Sequence, residues 1–290
     1  MKRILFSLGV IIFAGAVVAT ATGAFFSDSE TSTGNTFTAG AIDLKIDSQS
    51  HYDGLICTNV GNQEVPNYAW ALENPQVPTS RPDLVGQACS GTWALKDLVP
   101  TVDKFFNLTD VKPGDLGENT ISLHIDNNPA YACADITNVK NDDNTNLTPE
   151  VVAGDVTPGP NGGGELGANL DFLVWNDNGA STHAGNNIWD ADEVGTNTSG
   201  GAPSSNGTYT LADSTTGAPI APTGTSYLGL AWCAGTFTAG GPGIVPVCDG
   251  NSMGNVAQTD SYAADMGIRV VQARNNSNFV CTPPVAQPID

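Results

Sequence analysis

The feature that most constrains this chain is an apolar alternation with a period of two. Ile42, Leu44 and Ile46 alternate with Asp43, Lys45 and Asp47, and Ile121, Leu123 and Ile125 alternate with Ser122, His124 and Asp126. Met266, Ile268 and Val270 repeat the pattern around Arg269 near the end. Side chains two apart share one face of a strand, so each stretch predicts a strand with one side in a core and the other toward water. Further apolar runs stand at Lys104 to Leu108, Tyr131 to Val139, Leu170 to Trp175 and Tyr227 to Cys233, and no segment carries a helical stripe. With 33 glycines and 18 prolines available to punctuate the runs, the expected fold is all-β, a jelly-roll-like two-sheet β-sandwich with long loop insertions.

One domain over residues 25–282 accommodates these strands. Residues 48–99, which contain Trp70, Trp93 and four prolines, read as a disulfide-stapled insertion. Residues 197–225 read as a Gly/Ser/Thr/Pro loop without hydrophobic periodicity, and residues 283–290 as an extended tail.

The N-terminus carries an export pattern. Lys2 and Arg3 precede an apolar stretch from Ile4 to Val18, and Ala21, Gly23 and Ala24 supply the small residues that a signal peptidase needs. Residues 1–24 are therefore expected to be a signal peptide cleaved after Gly23 or Ala24; the alternative is a retained anchor. No later segment is apolar enough to span a bilayer, so no stable membrane insertion is expected after cleavage. The chain's formal net charge is −20, and losing Lys2 and Arg3 takes it to −22. A surface of that sign repels nucleic acid and anionic lipid while favouring solubility and cations.

Six cysteines suit an exported chain, because pairs can close outside the reducing cytosol. Six allow fifteen pairings. Locality in sequence favours Cys57 with Cys89 and Cys233 with Cys248, leaving Cys133 to meet Cys281. No C-x-x-C occurs, which weakens a zinc reading.

The junction "FFSDSETSTGNTFTAGAIDLKID" and the later "FFNLTDVKPGDLGENTISLHIDNN", with its Pro113-Gly114-Asp115 turn, together resemble the TasA/camelysin family, and "NVAQTDSYAADMGIRVVQARNN" adds a weaker likeness. The resemblance implies maturation by a SipW-type signal peptidase, a jelly-roll-like sandwich and, for TasA, assembly into extracellular matrix fibres. This chain departs from TasA in its six cysteines and in the segment from Ser48 to Val99. Two adjacent phenylalanines at the new N-terminus, Phe25 and Phe26, are expected to join a neighbour's open sheet edge, with Phe37 heading the subunit's own first strand. Repeated head to tail, that contact gives self-association into filaments. The competing expectation is that both rings fold back onto their own core.

Catalysis lacks a residue set. Camelysin-type relatives are described as metallopeptidases, yet His51, His124 and His183 are isolated, and no H-E-x-x-H occurs. His124, on the outward face of its strand, reads as solvated. The segment "WNDNGASTHAGNNIWDADEVG" is richer: Asp177, Asn187, Asp190, Asp192 and Glu193 are hard oxygen donors in one loop, a candidate calcium set. The alternative is a solvated acidic loop. Trp175 and Trp189, beside it, read as core rather than as a sugar platform. The expected function is a secreted structural subunit of biofilm-matrix or surface fibres, with no catalytic centre. A secreted metal-dependent endopeptidase and a monomeric calcium-stabilised adhesin or surface-layer module are the alternatives.

Overall fold

The structure, a computed structural model, describes residues 42–62, 64–155, 159–180, 182–197, 202–203 and 205–283. The expected signal peptide and Phe25, Phe26 and Phe37 lie outside them. The described chain is an all-β sandwich of antiparallel sheets.

The large sheet has eight strands. β1 (Asp43–Tyr52), β2 (Leu55–Asn59), β3 (Tyr68–Leu72), β4 (Trp93–Lys96) and β5 (Leu116–Asp126) come from the first half. The second half adds β8 (Leu170–Asn176), β9 (Gly195–Asn197) and β11 (Gly224–Ala234). Their spatial order is β3-β2-β1-β5-β11-β8-β9, with β4 also paired to β1. The small sheet places β6 (Ala130–Asp143) between β10 (Gly207–Ala212) and β14 (Ser261–Gln272), with β7 (Gly159–Gly163) on the end of β6. A separate hairpin, β12 (Thr236–Gly241) with β13 (Ile244–Asp249), and one short helix, α1 (Thr148–Ala153), complete the elements.

The period-two pattern forms the strands expected of it. Ile121, Leu123 and Ile125 are fully buried on the inner face of β5, and Ile46 of β1 joins them. Ala132 and Ala134 of β6 and Leu211 of β10 meet them from the small sheet, with Met266, Ile268 and Val270 of β14 partly buried against the same cluster. A second cluster gathers Tyr52, Leu55, Trp70, Leu230 and Trp232 toward one end. β1 turns into β2 through Asp53 and Gly54, both at positive φ, between the paired residues Tyr52 and Leu55. That is a two-residue hairpin of the primed type, and an Asp-Gly dipeptide is well suited to it.

Three sequence expectations change. Residues 48–99 are stapled, but they do not stand apart: they finish β1 and supply β2, β3 and β4 to the large sheet, and Trp70 is buried in its core. Residues 197–225 contain β10, where Tyr209 and Leu211 alternate with Thr208 and Thr210. Two inward side chains among glycines and hydroxyls are too few to stand out as a period. Lys104 to Leu108 is not a strand. Phe105 is buried against Trp93, with ring centroids 5.1 Å apart, while its carbonyl accepts from Asn119 Nδ2 at 3.2 Å. The core fixes that segment through one ring and one side-chain hydrogen bond rather than through a ladder.

All six cysteines pair as locality suggested: Cys57 with Cys89, Cys133 with Cys281, and Cys233 with Cys248. No helix among the described residues is long and apolar enough to cross a membrane.

Candidate functional site

The oxygen-rich loop between β8 and β9 folds over the outer face of the large sheet. Its carboxylates are spent on its own backbone. Asp177 is fully buried and accepts from the amides of Gly185 at 3.0 Å and Asn187 at 2.9 Å. Glu193, 8% exposed, accepts from Gly179 at 2.8 Å and from Asp190 at 2.9 Å. Asp192 accepts from the Ala180 amide at 2.9 Å, which holds its carboxyl low. Burial raises the carboxyls of both Asp177 and Glu193 against the pull of those amides. The remaining two expected ligands turn elsewhere: Asp190 accepts from Asn186 Nδ2 at 2.9 Å, and Asn187 Nδ2 donates to Glu118 at 2.8 Å. Among the described residues, no three His, Cys, Asp or Glu side chains form a group that could hold a metal ion.

Under this loop lies a small outer core. Trp175 and Trp189 stack with centroids 6.4 Å apart and planes 4° from parallel, above Leu173 and Ala231. The Trp189 indole N–H donates to the Glu193 carbonyl at 3.2 Å. Register explains the seat of Trp175: across the outer face runs the row Gln49, Thr120, Gly229, Trp175, Gly195. A Cβ at 229 would overlap the indole, so glycine is required there by close approach. Both tryptophans are packing residues, as expected.

Beside that core the outer faces of β1, β5 and β11 and the overhanging loop enclose a polar cleft of about 420 Å³. Strand parity supplies its floor: Asp47, Gln49 and His51 from β1, Glu118, Thr120 and Ser122 from β5, and Tyr227 from β11. Asn186, Asn187 and Ile188 form the overhang, and Glu73 reaches in to meet His51 Nδ1 at 3.3 Å. Burial, with repulsion from Glu73 added, pushes the Glu118 carboxyl up to about 7. The sequence showed these residues only as the polar half of each alternation. Nothing in it revealed that a loop from residues 185–188 would roof them.

His124 stands at the edge of this face with 32% of its side chain exposed. Its Nε2 lies 3.2 Å from both Asp47 Oδ2 and Ser122 Oγ, while Ser122 donates directly to Asp47. A nucleophilic triad needs the two ring nitrogens to serve opposite partners. Here Nε2 faces both Asp47 and Ser122, while Nδ1 lies 3.3 Å from the Thr225 hydroxyl, so Ser122 and Asp47 do not stand on opposite sides of the ring.

A second acidic cluster, unseen in the sequence, forms where β6 ends. Asp143 and Glu150 are fully buried there, with Asp155, Glu165 and Asp260 close by. Asp260 Oδ2 accepts from the amides of Glu165 at 2.5 Å and Leu166 at 3.0 Å, the hydrogen-bonding role its turn position suggests. Burial and mutual repulsion raise the carboxyls of both Glu165 and Asp260.

The Pro113-Gly114-Asp115 turn has a structural task. Asp115 accepts from the Lys112 amide at 2.7 Å, from Arg81 Nη1 at 3.2 Å and from the Tyr52 hydroxyl. Comparison with protein-family models, curated proteins and solved structures finds no match to this chain.

Proposed function

We propose that this chain is a secreted structural protein whose copies assemble into extracellular matrix or surface fibres through N-terminal strand donation. The observation that carries this reading is the open edge of β14. Twelve residues long, it pairs with β6 on one side and with no described strand on the other. Its inward side chains Met266, Ile268 and Val270 remain only partly buried against the core. An edge of that length, with apolar side chains incompletely covered, is a template for an added strand. The N-terminal segment of a second copy, carrying Phe25 and Phe26, has the chemistry to supply it. Three disulfides fit export, and the likeness to the TasA/camelysin family points to the same assembly.

The test compares the mature protein with a form beginning at Thr36 and with Phe25→Asp plus Phe26→Asp, by negative-stain microscopy. Filaments from the mature protein, and β-rich monomers from both variants, support strand donation. Filaments from all three overturn it.

A further inference from the structure

The cleft on the outer face of the large sheet has no part in that assembly, and its chemistry selects a ligand of its own. Its volume lies within the range of small-molecule sites, roughly 300–1,000 Å³. No lysine or arginine lines it, whereas Asp47, Glu73 and Glu118 do. Glu118 forms no ion pair among the described residues, and its one neutralising hydrogen bond comes from Asn187 Nδ2. Asn187 Oδ1, in turn, has neither solvent contact nor a hydrogen-bond partner. The ionised Glu118 carboxylate is an acceptor in want of further donors, and an ammonium group is all donor: three N–H bonds and no lone pair.

Spacing decides between an inorganic ion and an organic one. Asp47 stands opposite Ser122, and His51 opposite Glu118, so Asp47 and Glu118 are four strand residues apart, while Glu73, the third carboxylate, meets His51. At about 3.4 Å per residue that is roughly 14 Å, too far for both to ligate one metal ion. An extended ligand with more than one ammonium group can reach both. The Tyr227 ring, packed close beneath Gly185, offers an aromatic face for cation–π contact along the way.

We infer that this cleft binds an organic polycation of the polyamine or amino-sugar class, with Glu118 and Asp47 holding its ammonium groups and Asn187 orienting Glu118 through its Nδ2 hydrogen bond. The test is calorimetric titration of the mature protein with spermidine, with a glucosamine trimer, with the N-acetylglucosamine trimer and with calcium chloride. At least one of the two amines is expected to bind, with affinity falling as salt rises and with protons released near pH 6. Which of them binds identifies the source of the ammonium groups. Glu118→Gln, which keeps the side chain's shape, and Asn187→Ser are each expected to weaken the amine about tenfold, the scale of one charge-assisted hydrogen bond. Asp265→Asn, on exposed β14, is expected to leave binding unchanged. The inference fails if neither amine binds, if the N-acetylated trimer binds as well as the free amine, or if both cleft variants bind like the parent. It also fails if calcium alone binds and loses that binding in Glu118→Gln, which would make the cleft a metal site.

Discussion

Arg81 Nη1 lies 3.2 Å from Asp115 Oδ2, with the two side chains 4% and 6% exposed, and the Tyr52 hydroxyl joins them. The guanidinium also contacts Asp83 at the surface. This pair ties the segment after β3 to the turn that launches β5. Removing one partner strands the other charge in a low dielectric. Arg81→Met is therefore expected to lower stability by about 3–5 kcal/mol, and the double variant with Asp115→Leu to recover a large part of that loss. Urea melts of the four proteins in the cycle check it. A double-variant loss equal to the sum of the two single losses would show that the pair itself contributes little.

The covalent ties should differ in worth. Cys133 and Cys281 are 148 residues apart, and Cys233 and Cys248 only 15. On the chain-entropy relation, removing the long bridge by paired Cys→Ala costs about 5 kcal/mol and removing the short one about 3 kcal/mol. Denaturant midpoints of the two double variants test the order.

Stability should fall as pH rises from about 5 to 8. Glu118 has a folded-state value of about 7, against an ordinary glutamate value near 4.5. Between those values the folded state holds the proton that the unfolded state has released, so the slope of stability with pH is negative. The titratable groups beside it are Glu73 and His51, and burial shifts Asp177, Glu193, Glu165 and Asp260 in the same direction. Burial alone would raise Asp135 and Asp213, but their hydrogen bonds taken together, from Arg269 and Thr208 to the first and from Thr215, Thr216 and Cys281 to the second, bring both below the ordinary value, and their contribution is lost only as pH falls below about 4. The maximum is expected near pH 5, and Glu118→Gln should flatten the slope above it by about 2–3 kcal/mol. Guanidinium melts across pH 4 to 8 measure both.

How much of this was legible in the sequence depends on the range of the information. The alternations of β1, β5 and β14 are local, and they read directly. The cysteine pairs read because two of the three are neighbours in sequence. β10 was hidden, since Tyr209 and Leu211 alone make no period. The cleft was hidden for another reason: Asp47, Glu118, Tyr227 and Asn187 meet only through strand register and a loop crossing, and neither leaves a mark in the spacing of residues.

The oxygen-rich loop supplies a further expectation. Because Asp177 already satisfies two backbone amides, Asp177→Ala should cost about 2–4 kcal/mol through those unmet donors. The loss is expected to be equal in millimolar calcium and in chelator. Thermal melts under both conditions decide it, and a loss seen only with calcium present would make the loop a calcium site.

The bridge between Cys133 and Cys281 also decides how the sandwich would carry a mechanical load. β14 lies wholly inside the loop that this bridge closes, and Cys133 stands in the middle strand of the small sheet. Tension applied beyond residue 281 therefore enters at β6 through sulfur, bypassing the ladder that holds β14. Strand by strand unzipping from that end is blocked, and β14 stays in place.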